Sequence, residues 1–198
     1  CVLLFASMFP LNKQKVLLLL LGGILVSATL DLDALFNYAE QETPPHIAGQ
    51  FDLPDTSPED NPMDDAVATL GRVLFHDRRL SSNNLVSCSS CHQQAFAFGV
   101  NTLQGQGVNG LTLRRPMRLM NLQADQEGLG LFWDERAPSL EALVLQPIQD
   151  HLEMGYSGVD GAPDMAELLD ELNGLEYYQR LFEFAYGEAE VTEQGIAR

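Results

Sequence analysis

Two cysteines and a histidine stand together near the middle of the chain, in the segment Cys88-Ser89-Ser90-Cys91-His92. This is a C-x-x-C-H motif, the pattern by which haem c is attached to a protein. The two thiols add to the vinyl groups of the haem, and the histidine that follows binds the iron. The motif therefore predicts one covalent haem c on Cys88 and Cys91, with His92 as the metal ligand.

Two other interpretations of the motif fit the sequence less well. A thioredoxin-like dithiol is expected in a βαβ setting, which the sequence around Cys88 does not show. A zinc site needs further ligands, and the only other cysteine is Cys1. A haem c domain transfers electrons when a protein ligand occupies the face of the iron opposite His92, and it can catalyse a reaction when that face is open. Its candidate ligands are His46, His76, His151 and several methionines.

The composition limits the class of partner. The chain of 198 residues is 45% hydrophobic and 20% charged, which is typical of a globular domain. It has 28 acidic residues against 11 basic ones, and its net charge is −17. A nucleic-acid partner needs a basic surface and is excluded, and an anionic membrane surface is disfavoured. A basic protein partner fits better, because opposite charges speed the encounter.

The N-terminal segment has the pattern of an export signal. Lys13 and Lys15 precede an apolar run over residues 16–26, and the small residues Ser27 and Ala28 follow it. The run is shorter than the ~20 residues that span a membrane comfortably. Residues 1–28 are therefore predicted to be a signal peptide cleaved after Ala28, with an uncleaved N-terminal anchor as the alternative. Both predict export of the rest of the chain, and we expect it in the periplasm.

The rest of the chain predicts an all-α fold, with no strand. Residues 29–61 are rich in proline and acidic residues and predict an extended arm, and residues 62–198 predict the haem domain. The first helix is expected to begin at Asn61-Pro62, with Asn61 as its cap. Further helices are predicted over residues 138–148, 163–172 and 176–186, and from a cap at Thr192.

Four further motifs stand along the chain, one before the haem motif and three after it. They are Leu70-Gly71-Arg72-Val73-Leu74-Phe75, Phe132-Trp133-Asp134-Glu135-Arg136-Ala137, Gln146-Pro147-Ile148 and Glu153-Met154-Gly155. With the haem motif, this order resembles the N-terminal, peroxide-reacting half of the bacterial di-haem cytochrome c peroxidase and MauG family, over residues 62–198. The resemblance implies a cytochrome c-like fold. It also implies a second haem domain, with its own C-x-x-C-H motif, that would follow Arg198.

The resemblance assigns catalytic roles to Glu153, Pro147 and Trp133. Glu153 matches the acid-base residue above the iron, Pro147 a proline of the same pocket, and Trp133 the tryptophan between the two haems. Peroxide must lose a proton from one oxygen and gain one on the other, and burial is expected to raise the pKa of Glu153 toward neutrality for that transfer.

A glycine-rich loop over residues 99–110 is expected to fold over the cofactor. Many members of the family carry a histidine in this loop that caps the resting iron, and the matching residue here is Gln106. This difference predicts a five-coordinate iron that is ready to react. If the iron is six-coordinate instead, the candidate ligands are His76, His151, Met117 and Met120.

Two other positions depart from the family pattern. Leu143 stands where many members have a glutamine, and Gln146 is expected to point elsewhere on its helix. Arg114 stands where the family's inter-domain calcium site uses an asparagine, so calcium is doubtful. Arginines suit the haem propionates, and Arg79 and Arg136 are the leading candidates for that contact. The other candidates are Arg72, Arg114 and Arg115.

The resemblance implies a periplasmic haem c peroxidase. Such an enzyme reduces hydrogen peroxide to water with electrons from a small donor, a cytochrome c or a copper protein (cupredoxin). Two alternatives stay open: a non-catalytic electron-transfer cytochrome c, and a MauG-like oxidase that acts on a protein side chain. The oligomeric state is also open, with a homodimer as one option.

Overall fold

The computed structural model describes residues 57–120, 122 and 130–198. The predicted signal peptide and the predicted arm up to residue 56 lie outside these residues, so the domain boundaries proposed from the sequence stay a prediction. None of the helices in the described part is long and apolar enough to cross a membrane.

Helix α1 (Asp65–His76) begins at Asp65 rather than at Pro62. Its cap is Asp64, whose Oδ1 accepts the N–H groups of Ala66 and Val67 at 2.8 and 3.1 Å. The prediction of Asn61 as the cap is therefore wrong. The Asn61 amide instead donates to Glu141 Oε1 at 2.9 Å, which ties this segment to a distant helix.

The haem motif itself forms a short helix, α2 (Cys88–Cys91), between two turns of 3₁₀-helix at Arg78–Leu80 and Gln94–Phe96. At the start of α2 the Ser87 N–H donates to Ser90 Oγ at 3.0 Å, so the two serines around Cys88 hold the first turn. The motif is thereby presented on a turn of fixed shape rather than on an open loop.

The glycine-rich loop contains a small antiparallel hairpin that the sequence did not predict. Strand β1 (Gln106–Gly107) pairs with strand β2 (Gly110–Leu111), with Gln106 opposite Leu111 and Gly107 opposite Gly110. Two residues per strand are too few for an alternating pattern, which is why the sequence carries no strand signal here.

Four helices complete the domain, close to their predicted ranges. They are α3 (Leu140–Gln149), α4 (Met165–Asn173), α5 (Glu176–Tyr186) and α6 (Glu193–Ala197). Their ends follow from local chemistry: Ser139 and Thr192 accept backbone N–H groups as N-caps, and Gly187 ends α5 in the left-handed conformation.

The main core lies where α1 packs against α5, with α4 beside α5 and α6 beside α3. Tyr178 and Phe182 of α5 are almost fully buried against Leu70 and Leu74 of α1. A second, smaller cluster contains Leu131, Ala137 and Leu143. The described chain is helical apart from the two-residue hairpin strands, which confirms the predicted all-α, cytochrome c-like fold class.

Candidate active site

A cavity of about 720 Å³ opens between the haem motif and helix α3. This volume lies in the range of roughly 300–1,000 Å³ that is usual for cofactor sites. Residues of every motif that the sequence singled out line it. Among them are Gly71, Cys88, Cys91, His92, Trp133, Arg136, Gln146, Pro147 and Glu153.

The two thiols of the haem motif lie in the cavity wall as free cysteines. Burial raises the pKa of Cys88 to about 11, and burial likewise raises the pKa of Cys91. A redox-active dithiol needs a lowered thiol pKa, so this environment argues against the thioredoxin-like interpretation. Gly105 leaves room for Cys91, because a Cβ there would stand 2.9 Å from Cys91 Sγ.

His92 is held in the form that a metal requires. Its Nδ1 lies 2.9 Å from the Phe98 carbonyl oxygen, and a carbonyl can only accept a hydrogen bond. The proton is therefore on Nδ1, and Nε2 keeps its lone pair. Burial lowers the pKa of His92, although hydrogen bonds to the Phe98 and Met117 backbones act in the opposite direction. The imidazole is thus neutral near pH 7.

Gly71 gives an independent test of whether this cavity fits a haem. It lies inside helix α1, where glycine costs about 1 kcal/mol relative to alanine. A Cβ at Gly71 would meet no protein atom within 4 Å, so protein packing does not explain the glycine. Gly71 is exposed and lines this cavity and a second cavity next to it. A flat group seated against α1 would lie over this exposed glycine backbone, and the two thiols and His92 in the same cavity wall fit haem c.

Glu153 lies in the same cavity wall, and its backbone is fixed from both sides. Asp150 Oδ1 accepts the Leu152 and Glu153 N–H groups at 2.8 and 3.0 Å, and the Glu153 carbonyl accepts the Val108 N–H at 2.9 Å. At Gly107 of β1 a Cβ would stand 2.0 Å from the Leu152 carbonyl oxygen. Only glycine permits this contact, so the hairpin positions Glu153.

The electrostatic setting of Glu153 suits proton exchange. Burial raises the pKa of Glu153 to about 6, and the nearby Asp150 carboxylate acts in the same direction. The Arg136 guanidinium acts against both and lowers the pKa. A carboxyl with a pKa near 6 can accept a proton and return it close to neutral pH.

Pro147 connects helix α3 to the Glu153 segment. It lies inside α3 and has no N–H, while its carbonyl accepts the Met154 N–H at 3.2 Å and the Asp150 N–H at 3.4 Å. The end of the helix and the Glu153-Met154-Gly155 turn are therefore one hydrogen-bonded unit.

The expectation for Gln146 is wrong. Its side chain lines the cavity, where Oε1 accepts Arg136 Nε at 2.7 Å. Arg136 also pairs with Asp134 at 2.8 Å and lies 3.6 Å above the Phe132 ring. This arginine draws Gln146 toward the cavity, a long-range contact that helix periodicity does not reveal. The second cation on Asp134 is Arg114, at 2.8 Å.

Trp133 lies at the cavity wall and is 66% exposed. Its Nε1 donates to the Arg115 carbonyl at 2.8 Å, and the Arg115 guanidinium donates to the Val100 carbonyl at 2.7 Å. The indole is thus fixed in orientation while it stays accessible.

Two predicted site residues are not brought to the cavity. Arg79 donates to the Tyr177 hydroxyl at 3.0 Å and lies 3.7 Å from Asp77, so the structure does not support its assignment to the cofactor. The Gln106 side chain is exposed and donates to the carbonyls of Gly107 and Gly110 in its own hairpin.

Among the candidate sixth ligands, Met117 lines the cavity, with its backbone on the His92 side. His76, His151 and Met120 are not part of the cavity wall, and His46 lies outside the described residues.

Sequence reasoning missed the residues that position Glu153. These are Asp150, whose side chain caps the turn, and Gly107, whose missing side chain lets the hairpin approach. The spacing Asp150-x-x-Glu153 is a usable signal, because aspartate commonly accepts N–H groups two and three residues further on. Nothing local marks Gly107 among the other glycines of its loop.

Comparison with known proteins gives a consistent family. A family model described as di-haem cytochrome c peroxidase matches residues 65–198. The methylamine utilization protein MauG of Methylophilus methylotrophus is 33% identical over 156 residues, which cover 75% of this chain and 42% of that protein. The cytochrome c551 peroxidase of Nitrosomonas europaea is 29% identical over 126 residues, which cover 64% of this chain and 35% of that protein.

A solved structure agrees with these relatives. The crystal structure of a MauG-like protein associated with microbial copper homeostasis matches with a TM-score of 0.59 and 30% identity, over 74% of this chain and 44% of that one. The chain therefore spans less than half the length of these relatives. With the matched region and the cavity taken together, the chain belongs to the di-haem cytochrome c peroxidase family, a family of haem c oxidoreductases.

Proposed function

We propose that this chain forms the peroxide-reacting domain of a periplasmic haem c peroxidase. The observation that carries the proposal is a single cavity that contains the haem motif and, in its wall, the half-buried carboxyl of Glu153 with a pKa of about 6. Cys88 and Cys91 would anchor the haem, and His92 would bind the iron through Nε2. When bound, the haem supplies an iron that binds peroxide and provides electrons for cleavage of the O–O bond.

Glu153 moves the proton in this proposal. Its carboxylate accepts the proton from one peroxide oxygen and returns it to the other oxygen, which leaves as water. The Asp150 and Val108 hydrogen bonds hold the Glu153 backbone during both transfers, so the carboxyl does not have to be repositioned between them.

Arg136 and Trp133 serve the cofactor rather than the peroxide. Arg136 would pair with a haem propionate, a contact that its position in the cavity wall supports. The exposed indole of Trp133 would relay electrons that a second haem domain receives from a small donor, a cytochrome c or a copper protein. The acidic chain favours a basic donor.

A MauG-like oxidase is the second candidate, because the MauG relatives reach 33% identity against 29% for the cytochrome c551 peroxidase. Both activities consume peroxide at the same cavity, but their electron sources differ. A peroxidase oxidises a small donor in proportion to the peroxide consumed, whereas a MauG-like enzyme oxidises a protein side chain. Stoichiometry with the full-length protein separates the two.

The test of the peroxide site is the ferric absorption spectrum of the haem-loaded chain before and after peroxide is added. We expect a high-spin spectrum that shifts promptly in the wild type and barely shifts in Glu153→Gln. The matched control is Glu183→Gln, which changes an exposed carboxyl on α5 and should shift like the wild type. A low-spin spectrum that does not respond to peroxide would contradict the proposal and favour an electron carrier.

A further inference from the structure

Two adjacent tyrosines share one carboxylate behind the cavity wall. Asp77 Oδ2 accepts the hydroxyl of Tyr177 and the hydroxyl of Tyr178, each at 2.9 Å. The two rings lie 4.6 Å apart between centroids, with a tilt of 37°. Arg79 donates to the Tyr177 hydroxyl at 3.0 Å, so that oxygen both donates and accepts. This cluster of Asp77, Arg79, Tyr177 and Tyr178 takes no part in the proposed peroxide chemistry.

The cluster is continuous with the cavity. Leu74 and Leu80 line the cavity and also belong to the core cluster that contains Tyr178. Asp77 lies between these leucines in sequence, at the end of helix α1. Tyr178 is fully buried, whereas Tyr177 is 37% exposed. The pair therefore leads from the layer behind the cavity to the protein surface.

The protonation states in the cluster suit coupled loss of an electron and a proton. Burial acts to raise the pKa of Asp77, but hydrogen bonds from the Arg79 backbone, Tyr177 and Tyr178 hold it below its usual value. Burial and the same carboxylate raise the pKa of Tyr177 to about 12 and raise that of Tyr178 further. Near pH 7 the cluster thus contains two neutral phenols that donate hydrogen bonds to one ionised carboxylate. The carboxylate of Asp77 can take up the proton that a phenol loses when it is oxidised.

We propose that Tyr177 and Tyr178 form a redox site that carries an oxidising equivalent from the cavity to the surface. A tyrosine loses one electron to a one-electron oxidant, its O–H bond breaks, and the proton forms a new O–H bond on Asp77 Oδ2. The products are a neutral phenoxyl radical, a neutral carboxylic acid and the oxidant reduced by one electron. Return of one electron and of the proton from Asp77 restores the phenol.

Sharing one acceptor limits the pair to one radical at a time. Once Asp77 holds the proton from Tyr178, an electron moves from Tyr177 to the Tyr178 radical, Asp77 returns its proton to Tyr178, and the Tyr177 O–H bond breaks with its proton passing to Asp77 Oδ2. The radical then lies at Tyr177, where the Arg79 N–H still donates to the phenoxyl oxygen. A one-electron reductant in solution can reach that partly exposed ring.

This inference rests on the proposed function for its natural oxidant, the haem after its reaction with peroxide, so the experiment uses two oxidants. The haem-loaded chain is oxidised with hydrogen peroxide in one arm and with flash-generated tris(bipyridine)ruthenium(III) in the other. Rapid freezing and electron paramagnetic resonance then detect radicals, and ring-deuterated tyrosine identifies them by the narrowing of the signal.

We expect a tyrosyl signal in both arms that is lost in the double variant Tyr177→Phe/Tyr178→Phe. The control is Tyr186→Phe. The Tyr186 hydroxyl donates a hydrogen bond at 2.9 Å to the Gly195 carbonyl, and a peptide carbonyl is too weak a base to take up the proton. Asp77→Asn keeps a side-chain oxygen for the backbone N–H of Arg79 but removes the carboxylate that takes up the proton. We expect radical formation in the flash arm to be about a hundredfold slower in this variant.

The outcomes separate the two proposals. A signal in the flash arm alone contradicts the peroxide chemistry at the haem if the haem spectrum does not respond to peroxide. If the haem spectrum does respond, the same result overturns the transfer from the cavity to the tyrosines. A signal that persists in the double variant, that disappears in Tyr186→Phe, or that forms equally fast in Asp77→Asn would overturn the redox pair. Retention of the haem spectrum and of the cooperative unfolding transition shows that each variant is folded.

Discussion

Glu153 shows how a single side chain acquires a useful pKa. The main cause is partial removal of the carboxyl from water, the second is the Asp150 carboxylate, and Arg136 limits both. Arg136 in turn is held by Asp134 and Gln146, so the pKa of Glu153 depends on the segment that contains Asp134 and Arg136 and on helix α3 with its cap Asp150.

The raised pKa has a cost in stability that Glu153→Gln should remove. In the unfolded chain the carboxyl ionises near its usual pKa of 4.5, whereas in the folded chain it ionises near 6. The folded state therefore binds more protons between these pH values, and its stability falls as the pH rises through that window. The loss is about 1 to 2 kcal/mol, at 1.36 kcal/mol per pKa unit.

Denaturant unfolding of the haem-loaded wild type and of Glu153→Gln at pH 4 and at pH 7.5 measures this cost. We expect the free energy of unfolding of Glu153→Gln, relative to that of the wild type, to be higher at pH 7.5 than at pH 4. An equal difference at both pH values would show that Glu153 titrates alike in the folded and unfolded chain.

Individual residues differ in how well their sequence context predicts them. His92, Cys88 and Cys91 follow from one local motif, and the structure adds the Phe98 carbonyl that fixes the imidazole. The position of Gln146 depends on Arg136, and the contacts of Arg79 depend on Tyr177, side chains that helix periodicity does not connect to them. Local periodicity contains no information about such partners.

At the scale of elements, the hairpin of β1 and β2 and helix α1 each present a glycine to the cavity. In the hairpin, Gly107 lets the Leu152-Glu153 backbone come within contact distance. In helix α1, Gly71 leaves the cavity open. The sequence predicts the helices well, because their caps and apolar spacing are local, but the role of each glycine becomes visible only when the elements are packed.

Replacement of Gly107 by alanine should displace Glu153. The new Cβ would stand 2.0 Å from the Leu152 carbonyl oxygen, so backbone must move. We expect a loss of about 1 to 3 kcal/mol in stability, and a spectral response to peroxide that is weakened beyond what the stability loss explains. Leu111→Ala changes an exposed side chain of the same hairpin and serves as the control. A normal response in Gly107→Ala would show that the hairpin does not position the carboxyl.

Replacement of Gly71 by alanine should separate helix stability from cofactor binding. Alanine improves a helix interior by about 1 kcal/mol, so the haem-free chain should not be destabilised. The added methyl stands at a helix position that lines the cavity. If the haem lies against α1, we expect a lower yield of covalently loaded chain with a shifted haem spectrum. Haem content per chain, measured beside circular dichroism, checks this expectation. Unchanged loading and spectrum would mean that the haem does not approach α1.

At the scale of the whole molecule, the charge of −17 should control encounter with an electron donor. Opposite charges steer association, and salt screens them over a Debye length of about 10 Å at 0.1 M ionic strength. We expect reduction of the full-length protein by a basic cytochrome c to slow as the ionic strength rises. Reduction by a neutral small molecule should stay nearly constant and is the control. A donor rate that is insensitive to salt would contradict steering by the acidic surface.

The order of motifs along the chain predicted the family and the fold class. The first helix was placed too early because two candidate caps, Asn61 and Asp64, lie close together, and only packing decides that Asn61 binds Glu141. The resemblance placed His92, Pro147 and Glu153 in one pocket, but the shape of the cavity and its other lining residues depend on packing that no local pattern encodes.

The most direct measurement for the central claim is the pH dependence of the reaction with peroxide. The rate of the spectral change in the haem-loaded chain should rise through a midpoint near pH 6 and then level off, because the base form of Glu153 is required. In Glu153→Gln the rate should be about a hundredfold lower and without that midpoint, while Glu183→Gln follows the wild type. Equal rates and profiles in the wild type and Glu153→Gln would contradict the assignment of Glu153 as the residue that moves the proton.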